Sequence, residues 1–197
     1  MKLYIEGGDD SKLGQSRCRE GFRKLFERAG FEGRMPRLIA SGTRSAAFKN
    51  FVSAYKENGR SVAMLVDSED PVNDPEKPWE HLKNRPDDNW DKPAGAGDEQ
   101  VLLMTTCMET WIVADRAALK ENYSDKLQAN ALPPLNDLEK RSRQDVQDAL
   151  ARATSNCSSA YSKGKHSFMM LGTLNPATLK PLLPSFARIV RILKQNL

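Results

Sequence analysis

The first apolar stretch, "KLYIE" at residues 2–6, predicts a short strand that ends on an acid. Residues 12–29 then place Leu13, Cys18, Phe22, Leu25, Phe26 and Ala29 at near-helical spacing with charge between them, and Gly30 follows as a helix stop. "RLIAS" at 37–41 is a second strand. "TRSAAFKNFVSAYKENG" at 43–59 is a second helix, with Phe48, Phe51, Val52 and Tyr55 inward and Gly59 ending it. "SVAMLVD" at 61–67 is nearly all apolar, as expected of a strand covered on both faces. This β-α-β-α-β order predicts parallel strands joined by crossovers.

The pattern then breaks. Residues 70–99 hold five prolines, many carboxylates and two tryptophans. Connections this long tend to be functional or disordered, and the tryptophans argue against plain disorder. "QVLLMTTCM" at 100–108 is a fourth strand, and "METWIVADRAAL" at 108–119 starts a helix. Further helix is expected over 137–154 and 163–174. A last helix begins near Ser185, after Pro181 and Pro184. The expected fold is an α/β, Rossmann-like, mainly parallel four-stranded sheet. It forms one domain over 1–197, with its α/β core at 1–115 and a helical C-terminal elaboration at 116–197.

Composition narrows the function classes. The chain has 197 residues, 28% of them charged, with a formal net charge of +4. No apolar run approaches the ~20 residues of a membrane span, and the N-terminus reads as a strand, not a signal-peptide core. Cys18, Cys107 and Cys157 are odd in number and far apart, which fits a reducing cytoplasm better than a disulfide framework. A structural zinc site is disfavoured, since His81 and His166 are the only histidines and there is no C-x-x-C. No P-loop and no G-x-S-x-G motif is present. The positive charge permits a nucleic-acid or other anionic partner.

The chemistry gathers at strand ends. Glu6 follows the first strand, and Asp67, Ser68, Glu69 and Asp70 follow the third. In doubly wound sheets these strands are neighbours, and the crevice at their carboxyl ends is the usual site. Asp67 and Glu69, two apart in an extended segment, project to one side. Three converging carboxylates repel one another unless a cation sits between them, and Mg²⁺ or Mn²⁺ suits such oxygen ligands. The alternative is that these acids favour helix dipoles or cap free N–H groups, as Asp9, Asp10 and Ser11 are expected to do.

"IEG" at the first strand end with D-x-E at the third resembles the Toprim domain of topoisomerases, bacterial primases and OLD-type nucleases. The resemblance covers roughly residues 1–115. The whole chain is similar to a family of small, uncharacterised bacterial Toprim-like proteins associated with AAA/ABC-type ATPases in defence-like gene clusters. The shared pieces are "EGG" at 6–8, "SGTR" at 41–44, "DSEDP" at 67–71, "WEHL" and "DDNW" in the loop, "METWIVAD" at 108–115 and "KGKHSF" at 163–168. The resemblance implies that Glu6, Asp67 and Glu69 bind Mg²⁺, with Glu69 standing where the usual pattern has Asp. It favours a nuclease role over topoisomerase or primase activity.

Other positions could join the site. "ASGTRS" at 40–45 offers a helix start with Ser41 and Arg44 as a phosphate seat, or an ordinary capped helix. Glu109 could be a further metal ligand or an acid favoured by a helix dipole. Lys163, Lys165 and His166 could neutralise a phosphate or move a proton, or form a solvated turn. His81, Trp79 and Trp90 could form a lid or stack on a base, or make a satellite apolar cluster. Asp115 is expected to be structural, and Trp111 and Cys107 to be core.

The reading these features support is a Mg²⁺- or Mn²⁺-dependent nuclease on DNA or RNA, cytoplasmic, working with an ATPase. The alternatives are a non-catalytic binding subunit of an ATPase complex and a hydrolase of free nucleotides.

Overall fold

The computed structural model describes the chain apart from Asp10 and the side chains of Asp125 and Lys165. Among the described residues, β1 (Lys2–Ile5), β2 (Arg37–Ala40), β3 (Val62–Asp67) and β4 (Val101–Met104) form one parallel sheet in the order β2-β1-β3-β4. The winding reverses between β1 and β3, so their carboxyl ends flank the crevice where α/β sheets place ligands. The fold is an α/β, Rossmann-like one.

Side-chain parity divides the core cleanly, as the two-residue strand period requires. Leu3, Ile5, Ala63, Leu65, Leu102 and Met104 face one apolar cluster. Tyr4, Val62, Met64, Val66, Val101 and Leu103 face the other. All six positions of β3 are buried. Asp67 continues the odd series, towards the larger cluster.

That larger cluster is covered by α1 (Lys12–Phe26), α4 (Met108–Ala114), α7 (Lys165–Leu171) and α9 (Pro184–Asn196), among others. Ser11 caps α1 through Gly14 N (2.9 Å). Cys18, Phe22, Leu25 and Phe26 then bury one stripe of the helix. Leu13, which its spacing places inward, is instead 59% exposed at the first turn. Trp111 is fully buried and meets Phe22 and Phe186 edge-on, joining α1, α4 and α9. The smaller cluster lies under α2 (Arg44–Asn58), which Thr43 caps, and under α3 (Pro78–Asn84).

Three expectations change. The 70–99 segment is not a bare loop: Pro78 starts α3, and Trp79 is buried against Phe48 and Phe51. The fourth strand stops at Met104, and Thr105 to Cys107 turn into α4. The helix expected over 137–154 is α6 (Arg143–Thr154), started by the Ser142 cap. The remaining helices are α5 (Arg116–Tyr123) and α8 (Pro176–Leu182), the latter carrying Pro181 near its end. Among the described residues no helix is long and apolar enough to cross a membrane.

Candidate metal centre

The acids reach one place because the backbone leaves both strands under hydrogen-bond control. Glu6 N donates to Leu65 O (2.9 Å), so the chain still runs beside β3 one residue past β1. It then turns away through Gly7 at φ 129°. A Cβ there would also come 3.0 Å from the Phe168 ring and 3.2 Å from Cys18 Sγ, so position 7 needs glycine on both counts. Gly7 and Gly42 exchange N–H···O bonds of 2.8 and 3.1 Å, tying the β1 and β2 exits together.

Past β3, Ser68 N donates to Met104 O (3.0 Å) and Glu69 N to Thr106 O (2.9 Å). Glu69 sits at φ 69°, a left-handed conformation uncommon for a non-glycine residue and found disproportionately at functional sites. The two acids therefore do not converge by strand alternation. A turn held against the β4 exit delivers Glu69. From the other side, His81 Nε2 meets the Ser68 carbonyl at 2.9 Å and braces that turn.

Glu6, Asp67 and Glu69 each offer an oxygen within 4.8 Å of the others. Glu6 Oε2 accepts from Asp67 N and Asp67 Oδ1 from Met108 N, both at 2.9 Å. Glu69 Oε2 pairs with Arg143. Among the described residues, the second oxygen of each acid has no hydrogen-bond partner. Asp67 is 3% exposed. Burial, then the charges of Glu6 and Glu109, hold its carboxyl well above the usual range. Burial raises Glu6 as well, against the Asp67 N–H bond and the charges of Arg44, Lys163 and Arg143. Crowded carboxylates, Glu6 and Asp67 of them resisting ionisation, with one oxygen of each acid within 4.8 Å of the others, form a donor set that a hard divalent cation satisfies.

Two of the three acids border a cleft of ≈ 560 Å³. Glu6 and Asp67 lie on its wall with Arg17, Gly42, Thr43, Lys163 and Phe168. Lys163 is exposed and close enough to favour the charged forms of Glu6 and Asp67.

Several expected members stand elsewhere. Arg44 faces inward: Nε donates to Asp67 O (2.8 Å), a second nitrogen pairs with buried Asp88, and the guanidinium lies 4.4 Å from the Trp90 ring centre. It is therefore a brace, not a phosphate seat. Ser41 turns back to the Ile39 carbonyl (3.3 Å) and does not line the cleft, whereas Gly42 and Thr43 do. Glu109 is fully buried beneath Asp67, outside the trio, with Oε1 accepting from Tyr161 Oη (2.8 Å) and Oε2 from Gln147 (3.3 Å). His166 Nδ1 contacts Ala160 O at 3.1 Å and Ser162 Oγ at 3.2 Å, which ties its own turn together away from the cleft wall. The Lys165 side chain lies outside the described residues.

The tryptophans are not base platforms. Trp79 donates Nε1–H to Gly97 O (2.9 Å) inside the core. Trp90 carries Phe48 stacked at 4.2 Å with planes 2° apart, besides Arg44. Asp115 is structural, as expected: it caps α5 through Ala118 N and holds Asn175 N. Trp111 and Cys107 are core.

Arg17 and Arg143 were not singled out from sequence. Arg17 lies within the basic run after residue 12. Arg143 is an ordinary first-turn residue behind a Ser cap, and nothing in its neighbourhood announces a partner 74 positions away.

No curated protein and no solved structure matches the chain. A family model described as a domain of unknown function, DUF4276, matches residues 11–194, beginning just after Glu6 and taking in Asp67, Glu69 and all of the helical C-terminal part. With nearly its full length matched, the chain belongs to the DUF4276 family.

Proposed function

We propose that the chain is a Mg²⁺- or Mn²⁺-dependent phosphodiester hydrolase acting on DNA or RNA, with Glu6, Asp67 and Glu69 as the metal ligands. The observation that carries this reading is the convergence of three carboxylates from adjacent strand ends within 4.8 Å, two of them on the wall of a cleft that Arg17 and Lys163 also line. An oxygen-only donor set suits a hard cation. When bound, such a cation supplies a Lewis acid for a phosphoryl oxygen and acidifies a coordinated water.

The chain's own groups fill complementary roles. Lys163 and Arg17 meet the negative charge of the phosphate. Arg143 holds Glu69 in the trio. Glu6, less buried than Asp67 and on the cleft wall, accepts the proton of the attacking water. The Toprim resemblance and an AAA/ABC-type ATPase partner belong to the same proposal.

The test is incubation of the full chain with DNA and tRNA, with Mg²⁺ or Mn²⁺, beside Glu6→Gln and Asp67→Asn. Cleavage that both variants lose supports the reading. Absence of cleavage with every metal, also after a candidate ATPase is added, or cleavage unchanged in both variants, sinks it.

A further inference from the structure

The formal charge of the whole chain is +4, and residues 12–28 alone carry six basic residues against two acidic ones. The excess of the protein thus equals the excess of this one segment. On α1 and its continuation, Leu13, Arg17, Lys24 and Arg28 fall at i, i+4, i+11 and i+15, which puts them on one helical face.

That face borders a groove. Gly21 lets α1 approach α7 closely, since a Cβ there would meet the Phe168 carbonyl oxygen at 2.5 Å. Beside this contact runs a depression of ≈ 420 Å³, lined by Arg17, Lys24, Arg28 and Met169 among others. Met169 is 52% exposed and Leu13 59%, the two most exposed large apolar side chains among the described residues. Arg17 and Phe168 line both this groove and the acidic cleft, so the two adjoin there.

We infer that this groove is a track for a nucleic-acid strand, whose backbone leaves the acidic trio at Arg17 and follows α1 past Lys24 to Arg28. The inference rests on the reading of the trio as a phosphodiester site and names its substrate as a polymer, not a free nucleotide. From residue 17 to 28 the helix rises about 16 Å, a few nucleotides of an extended strand. Arg17, Lys24 and Arg28, about 10 and 6 Å apart along the axis, can each meet a phosphate of such a strand, and Met169 in the groove offers apolar contact to sugars or bases. The opposing acid in the groove, Glu20, is already paired with Lys24 at 2.9 Å across an exposed surface. Such a pair is weak and yields readily to a phosphate. Arg28 donates to Thr173 O (2.6 Å), which ties it to the groove edge.

The experiment uses the full chain carrying Asp67→Asn, which prevents turnover, with labelled single-stranded DNA and RNA of two, six and twelve nucleotides. Anisotropy titrations run over a range of salt, with a glutamate-rich peptide as the competing acidic ligand. Affinity should rise at least tenfold from the shortest to the longest strand, with a logarithmic salt slope of about −0.7 per phosphate engaged. Adding Lys24→Glu and Arg28→Glu should flatten the length dependence and reduce the slope by about 1.4. Adding Lys49→Glu and Lys56→Glu on α2 instead should leave both intact. Affinity independent of length, equal loss in the α2 variants, or preference for the peptide overturns the track. If strands bind through the track but the unmodified chain cleaves nothing, the hydrolase reading falls and the track stands. If the chain cleaves a small diester yet ignores strand length, the reverse holds.

Discussion

Charged groups are buried at two places around the carboxyl end of the sheet, and they are treated in opposite ways. Beside α2, Arg44 and Asp88 are paired with little exposure, and Trp90 is clamped between Arg44 and Phe48. Opposite charges meet there, and aromatic faces that looked available are covered. At the β1 and β3 exits, like charges are brought together, and Glu6 and Asp67 lie on the wall of a cleft. Both regions combine the same residue types near strand ends. Hydrogen bonding does not separate the two, since Arg44 Nη2 and Asp88 Oδ2 also lack partners; like charges gathered beside an open cleft distinguish the candidate site from the brace.

The sharpest way to break this comparison is to remove one charge from each region. Asp67→Asn should abolish divalent-ion binding in calorimetry and lower hydrolysis by about 10³-fold or more, since a bound cation is worth several kcal/mol of transition-state stabilisation. It should leave the melting temperature of the metal-free protein at pH 8 unchanged or raised, because a repelling charge is gone. A large loss of stability would mean that Asp67 is a structural acid after all. Asp88→Ala should do the opposite. Stranding Arg44 in a buried position costs about 3 kcal/mol of folding stability, read as a lower denaturant midpoint, while metal affinity persists.

The placement of the acids was legible in the sequence because strand order follows from β-α-β-α-β connectivity, and Glu6 and Asp67 are fixed by backbone position. The manner in which Glu69 arrives was not. Alternation suggested an extended segment, whereas tertiary bonds from Ser68 and Glu69 to the β4 exit impose a left-handed turn. Arg44 illustrates the same limit. "SGTR" at a helix start suits an anion seat or a capped helix with a solvated Arg44 equally, but Asp88 and Trp90, some 45 residues later, claim the guanidinium. Partners supplied from a proline-rich segment leave no local signature at the residue they occupy.

The pH dependence sharpens the contrast further. Burial raises Glu6 and Asp67, so the folded protein binds their protons more tightly than the unfolded chain. Their contribution to stability is therefore greatest below the ordinary carboxylate range and is lost as pH rises through the raised values. Glu139, half-buried against the start of α9 and pushed up to about 7, adds a loss of the same sign between roughly pH 4.5 and 7. Metal binding requires the deprotonated trio and relieves only the first loss. Metal-free melting temperatures should fall from pH 5 to pH 8. The increment from Mn²⁺ should grow over the same range, to about 2.7 kcal/mol at a hundredfold excess over Kd. Glu139→Gln should flatten part of the metal-free fall and leave the Mn²⁺ increment alone. A metal increment that shrinks with rising pH would contradict the assigned ligands.

The smallest expected effect concerns Glu109, which lies between the two modes of treatment. It is an acid buried beneath Asp67 and adds to the repulsion there, yet both of its oxygens are occupied by Tyr161 and Gln147. With both oxygens hydrogen-bonded and no place in the acidic trio, it belongs with the braces. Tyr161→Phe removes one donor and should cost about 1 kcal/mol of stability, while shifting Mn²⁺ affinity by less than threefold. A ligand would behave otherwise: freed from Tyr161, Glu109 could swing towards a cation and raise affinity well beyond that. Isothermal titration of Tyr161→Phe beside Glu109→Gln separates the cases. Near-equal, small changes keep the centre at three acids, whereas tighter binding in the first and tenfold weaker binding in the second would make it four.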